Sequence, residues 1–264
     1  MKADRKLWTR TTAVAVCVAV AVGATGCSRG GGGQAAPVTG SSAAGNSAAG
    51  SPAAGDPFAG LSADAIAEKA SASVKAVTAV RMTGHQEEGG TKVVMDVRVD
   101  GKGICEAELT NEDGGKGTFL RIDRSVYTKG DEAFWNTSEQ NRTIGRLLAG
   151  RWAKTSYEEG SSLSGFCDLR NVFEGDDTTG LTRGEDTEVG GVPAVTLTGK
   201  ADGGGTRTLH IAKDADKPYF LRVVETGGEE TGEITFGDFG RPVSVTAPPA
   251  DRTVEMDEVL KALD

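Results

Sequence analysis

Histidine is almost missing from this chain: His85 and His210 are the only two in 264 residues. No serine stands in a Gly-x-Ser-x-Gly setting either, so an acyl-transfer enzyme lacks its nucleophile elbow. Cysteine is scarce, with four, and none has a second cysteine or a histidine at ligand spacing, which argues against a metal centre. No basic run exists and the net charge is −9, against nucleic acid and against a surface that lies on anionic lipid. Aromatic residues are 5% of the chain, a composition that weighs against a large cavity. No apolar run is long enough to span a bilayer. The longest, Thr11–Ala24, has fourteen residues and as a helix reaches about 21 Å, short of the ~30 Å hydrocarbon core.

That short run is nevertheless the most informative stretch. Lys2, Arg5, Lys6 and Arg10 precede it against a single Asp4, and Ala24-Thr25-Gly26-Cys27 follows it. A positive n-region, a short apolar segment and small residues before a cysteine read as a bacterial lipobox. Residues 1–26 are then a signal peptide, and Cys27 is the lipid-bearing first residue of the mature protein. An ordinary signal peptide cut elsewhere is the alternative. One acyl chain holds a protein on a membrane only marginally, so the anchor requires several. The expected location is the extracytoplasmic face of the cell membrane, with the membrane reached through Cys27.

Residues 27–57 are built almost entirely of Gly, Ala, Ser and Pro. Such a segment cannot offset its ordering entropy and acts as a tether spanning roughly 30 Å. Gly30–Gly33 is no phosphate-binding loop, because no strand precedes it and no Lys-Ser/Thr follows. No cofactor is expected. Residues 58–264 are long enough for one domain with a sizeable core. With residues 1–26 at +3, residues 27–264 carry −12. Cys17 leaves with the signal, which leaves Cys105 and Cys167 as one disulfide or as two separate buried thiols.

The domain opens with a helical pattern from Ser62 to about Val80, with Ile66, Ala70, Val74 and Val77 on one face. Ser62 is a fitting N-cap and Asp64 suits the positive end of the dipole. The period then changes to two. Val93, Met95, Val97 and Val99 alternate with charged residues, and Cys105–Leu109, Leu120–Ile122 and Val126–Gly130 continue the pattern. It returns in 193–199, 206–212, 219–225, 233–237 and 242–246. His210, between Leu209 and Ile211, belongs to the outer face of its strand. An antiparallel meander with one apolar face needs a cover. Helical segments at 143–149, 162–173 and the C-terminus (Met256, Val259, Leu260, Leu263) supply it. The fold class is α+β: a curved antiparallel half-barrel with helices packed in its concave face.

Val126-Tyr127-Thr128-Lys129-Gly130, Gly150-Arg151-Trp152-Ala153-Lys154, Pro218–Val223, Phe236–Val243 and Ala247-Pro248-Pro249 resemble the LppX/LprAFG family of actinobacterial lipoproteins, whose domain is similar to LolA-type carriers. The resemblance implies an apolar cavity between sheet and helices that holds acyl chains of lipids or glycolipids. The lining residues expected on that basis are Val74, Val77, Met95, Val97, Leu109, Leu120, Ile122, Val195, Leu197, Leu209, Ile211, Leu221 and Val223. Glu174–Asp177 and Glu185–Glu188 lack EF-hand spacing and read as solvated loops. Trp135 and Trp152 read as core or rim packing. Two functions remain open, neither enzymatic. One is a lipid-anchored carrier of a hydrophobic ligand. The other is an interaction protein whose hollow is self-filled and whose surface meets an envelope protein partner.

Overall fold

Ser62 sets the first helix. Its hydroxyl accepts from the Ala65 amide at 3.2 Å, and α1 (Ala63–Val74) buries Ile66, Ala67, Ala70 and Val74. The helix stops at Val74, earlier than the apolar spacing predicts, because Ala79 already opens β1 (Ala79–Glu88). The computed structural model describes residues 55–136, 139–158, 164–173, 178–201 and 203–263. The expected signal peptide, Cys27 and nearly all of the tether lie outside the described residues, as do Glu174–Asp177. At the domain's start the Asp56 carboxylate accepts from the Phe58 amide at 3.0 Å and meets Arg183 at 2.7 Å. Phe58 is fully buried.

From β1 the chain runs as a meander through β2 (Thr91–Asp100), β3 (Ile104–Asn111), β4 (Lys116–Ile122) and β5 (Ser125–Gly130). Then come α2 (Glu132–Trp135), α3 (Glu139–Leu148), β6 (Trp152–Ser156), α4 (Ser164–Cys167) and α5 (Leu169–Val172). The second half holds β7 (Thr182–Arg183), β8 (Thr187–Val189), β9 (Val192–Lys200), β10 (Thr206–Ala212), β11 (Phe220–Thr226) and β12 (Glu230–Gly237). It ends with β13 (Thr253–Glu255) and α6 (Met256–Lys261).

These strands form one sheet in the order β13-β6-β5-β4-β3-β2-β1-β12-β11-β10-β9-β7, with β8 also on β9. Every pairing is antiparallel except β13 on β6. The two ends do not meet, so this is an α+β half-barrel and not a closed barrel. The 162–173 segment is broken at Asp168, whose carboxylate accepts from the Arg170 amide at 3.1 Å and caps α5. Residues 242–246, expected as a strand, make no ladder pairing.

Strand alternation fixes two faces. The inner one carries Val80, Met82, Val97, Val99, Cys105, Ala107, Val195, Leu197, Leu209, Ile211, Phe220 and Phe236, buried together with the α1 stripe and with Cys167 and Leu169. At about 25 cal/mol per Å² of apolar area, this burial is the main force holding helices to sheet. The outer face is charged: Arg81 bonds Asp96, Arg98 meets Glu106 at 3.3 Å, and Arg222 meets Glu233 at 3.2 Å. His210 lies on this face, its Nδ1 3.4 Å from the Thr196 hydroxyl, as its alternation predicts. Burial and the neighbouring Arg222 hold its pKa below the usual histidine value.

Candidate ligand-binding hollow

Ten of the thirteen expected lining residues come together on the inner side. Val74 and Val77 approach from the α1 segment, and Met95, Val97, Val195, Leu197, Leu209, Ile211 and Val223 from the sheet. Leu109 pairs directly with Met95 and so shares its face. Leu120, Ile122 and Leu221 do not join them. Ala107 pairs with Phe119 and Cys105 with Arg121, so the inward positions of β4 are Gly117, Phe119 and Arg121. Leu120 and Ile122 therefore point outward, by the one-residue rule that flips a whole strand. In β11 a register shift between His210 and Ile211 turns Phe220 inward. Leu221 then packs in a satellite cluster with Val189, Ala194 and Ala212.

One pole of the hollow is locked. Cys105 and Cys167 form a disulfide with a Cα–Cα distance of 5.4 Å, tying α4 to β3. Beside it Arg121 points inward, 13% exposed at the side chain. Its guanidinium donates to the Cys167 carbonyl at 2.6 Å and to the Asp123 carbonyl at 3.1 Å. It also lies 3.4 Å over the Tyr157 ring. Asp168, next along, is held below the ordinary carboxylate range, mainly by its bonds from Arg170. Phe173 closes α5 by packing 5.3 Å from Phe236 and 6.5 Å from Phe220.

The side over β4 and β5 is filled differently. Gly117 and Gly130 are cross-strand partners, and the Phe134 ring sits where their β-carbons would be. Gly145 of α3 makes the same room for Trp135, whose indole N–H donates to the Gly130 carbonyl at 3.2 Å. Phe134 meets Phe119 edge-on at 5.9 Å and Trp135 at 5.1 Å. Asp131 orders this corner, accepting from the Phe134 amide at 2.8 Å and the Lys116 amide at 3.1 Å. Trp152 faces the other way, 5.8 Å from the Lys129 ammonium. A composition with few aromatics thus concentrates Phe119, Phe134, Phe173, Phe220 and Phe236 around a single hollow. Their separation in sequence hides this; Gly130, four residues before Phe134, is the one local clue.

The opposite pole is more open. Val99, Cys105, Ile211 and Phe220 at the locked pole are at most 1% exposed. Toward the β1–β2, β3–β4 and β11–β12 turns, the inward Met95, Leu109, Phe119, Val223 and Ile234 are only partly buried. They are the half-buried apolar residues at that end of the inner face, here called its mouth. On the β9–β10 side Leu197 and Leu209 are closed off, and Arg207, 2% exposed, pairs with Glu225 at 2.6 Å. The Asp64 carboxylate accepts from the Gly180 and Leu181 amides at 3.1 and 2.8 Å, holding Leu181 over Gly199.

A surface groove of about 410 Å³ exists elsewhere, lined by Val80, Arg81, Arg98, Glu106, Asp238 and Arg241–Ser244. It lies on the outer face, and its guanidiniums are already paired with Asp96, Glu106 and Asp238. We take the hollow, not this groove, as the candidate site.

No family model matches the sequence, and no curated protein matches it. Solved structures do. LppX, a lipoprotein of Mycobacterium tuberculosis, aligns with a TM-score of 0.49 at 16% identity over 69% of this chain and 97% of that one. LprF from Mycobacterium bovis aligns with a TM-score of 0.47 at 18% identity over 70% and 96%. MucB, solved with MucA from Pseudomonas aeruginosa, is more distant, with a TM-score of 0.31 at 14% identity over 72% and 59%. The mycobacterial pair bears the names of the family that the sequence motifs resemble.

Proposed function

We propose that this chain is a lipid-anchored lipoprotein of the cell envelope that binds a hydrophobic ligand in its hollow for carriage or presentation. In this reading residues 1–26 are the signal peptide, Cys27 bears the lipid, 27–57 is the tether and 58–264 is the binding domain. It acts by binding and not by catalysis. The observation that carries the reading is the mouth: Met95, Leu109, Phe119, Val223 and Ile234 stay partly exposed on the inner face of an unclosed sheet. An acyl chain entering there gains ~0.8 kcal/mol per buried methylene, so about ten methylenes give micromolar affinity or better before ordering costs. No helix among the described residues is long and apolar enough to cross a membrane.

The competing reading, a self-filled hollow in an interaction protein, is favoured by Phe173 over Phe220 and Phe236 and by Phe134 over Gly117 and Gly130. A titration separates the two. The full chain in phosphatidylcholine nanodiscs should bind a fluorescent long-chain acyl probe saturably, and Ile234→Lys at the mouth should weaken binding at least tenfold. Equal binding by Ile234→Lys, or none by either, contradicts the proposal.

A further inference from the structure

The two poles of the half-barrel differ in charge. At the mouth pole, the β1–β2, β3–β4 and β11–β12 turns carry Glu87, Glu88, Glu112, Asp113, Glu229 and Glu230, all solvent-exposed. The basic residues described on those turns are Lys92 and Lys116. The turns adjoin in the sheet: Glu88 pairs with Glu230 across β1–β12, and β3 lies directly beyond β2. At the locked pole the balance is even. The β10–β11 connection has Lys213 and Lys217 against Asp214 and Asp216, the β4–β5 turn Arg124 against Asp123, and the β2–β3 turn Lys102 against Asp100. Seven residue-to-residue rises along β1, from Val80 to Glu87, separate the poles by about 23 Å, more than twice the ~8–10 Å Debye length. A molecule approaching the mouth therefore feels the acidic rim and little of the far pole.

We propose that the mouth pole is a docking face for a protein partner that presents an apolar side chain surrounded by lysines or arginines. The proposal rests on reading the mouth as the open side of the hollow. The apolar floor calls for an apolar insert, and the rim supplies the charge rule. Opposite charge around an apolar contact speeds encounter and rejects like-charged surfaces. A second copy of the chain brings the same acidic rim and is repelled. So is an anionic bilayer.

The test uses the full chain in phosphatidylcholine nanodiscs and a synthetic amphipathic peptide of lysine and leucine, followed by stopped-flow fluorescence. The paired variant Glu87→Lys/Glu229→Lys should slow association at least fivefold at about 0.1 M ionic strength, where the screening length is shorter than the distance between the poles. The charge-matched variant Glu185→Lys/Asp216→Lys, away from the mouth, should change it less than twofold. Near 0.5 M salt the gap between the two should close. Equal slowing by both pairs overturns the proposal, because it reduces the effect to net charge. So does equal binding of a lysine–serine peptide, which leaves the apolar floor no part. Binding of phosphatidylglycerol vesicles through the mouth, lost in Ile234→Lys, also overturns it. Acyl-probe titration of the same variants keeps the inference apart from the ligand reading. Probe binding retained with no peptide docking refutes the docking face alone, and probe binding lost in wild type refutes the hollow.

Discussion

Replacing both bridge cysteines, Cys105→Ala with Cys167→Ala, releases the loop that pins α4 to the sheet. The bridged positions are 62 residues apart. The chain-entropy relation then gives about 4 kcal/mol at 25 °C. Both cysteines are essentially fully buried, at 0% and 1% exposure, so trimming them to alanine adds a little lost packing. Arg121 works against full release, since its bond to the Cys167 carbonyl and its stacking on Tyr157 hold α4 without the bridge. The expected net loss is about 3–4 kcal/mol, or roughly 6–16 °C in Tm for a domain of this size. Urea melts followed by circular dichroism, wild type against the double variant, give the number. Adding Arg121→Met to the double variant should cost a further ~1.5–3 kcal/mol, larger than the same change with the bridge intact. A double variant that loses less than 1 kcal/mol, or an Arg121→Met cost that is the same on both backgrounds, refutes the two-clamp account.

Gly130→Val should cost at least ~1–3 kcal/mol and detach α2, because the new side chain lands on the Phe134 ring; a drop in Trp135 burial by fluorescence quenching reads it. His210 gives a pH signature. Its folded pKa is lowered, chiefly by burial, so its contribution is present above ~6.5 and is lost as pH falls through the folded value. Urea midpoints should therefore decline below about pH 6.5, and His210→Gln should flatten that step. Asp96, Asp168 and Asp186 are also lowered, by Arg81, Arg170 and Lys213 first, so their contributions are lost only below about pH 4. The two declines should be separable in one titration.

The sheet was largely legible because period-two alternation survives in β2, β3, β9 and β10: inward apolar residues alternate mainly with charged ones in β2 and β3, and with Thr196, Thr198, Thr208 and His210 in β9 and β10. It failed at β4. There an arginine points inward and a leucine outward, and what makes Arg121 acceptable inside is a carbonyl 46 residues away and the Tyr157 ring. Contacts that distant leave no periodic mark. β1 was hidden for a related reason. Val77 and Val80 extend a helical spacing past Val74, while Gly84 interrupts the strand pattern at a site where close approach to Glu233 admits no β-carbon. Leu221 turned on a bulge, which alternation cannot foresee. Counting narrowed the candidates to Cys105 and Cys167 but left a bridge or two separate thiols open; the fold brings their Cα atoms to 5.4 Å and bonds them. The Phe134 saddle and the polar asymmetry of the turns needed the strand order, since the residues that build them meet only across neighbouring strands.

The central claim is that the hollow takes an apolar ligand. Native mass spectrometry tests it most directly, on the full chain expressed in an actinobacterial host, released in mild detergent and then extracted with organic solvent. The account predicts a reproducible adduct that extracts as one lipid class and disappears in Ile234→Lys. A bare mass, under conditions that keep lipid on a known carrier, contradicts it.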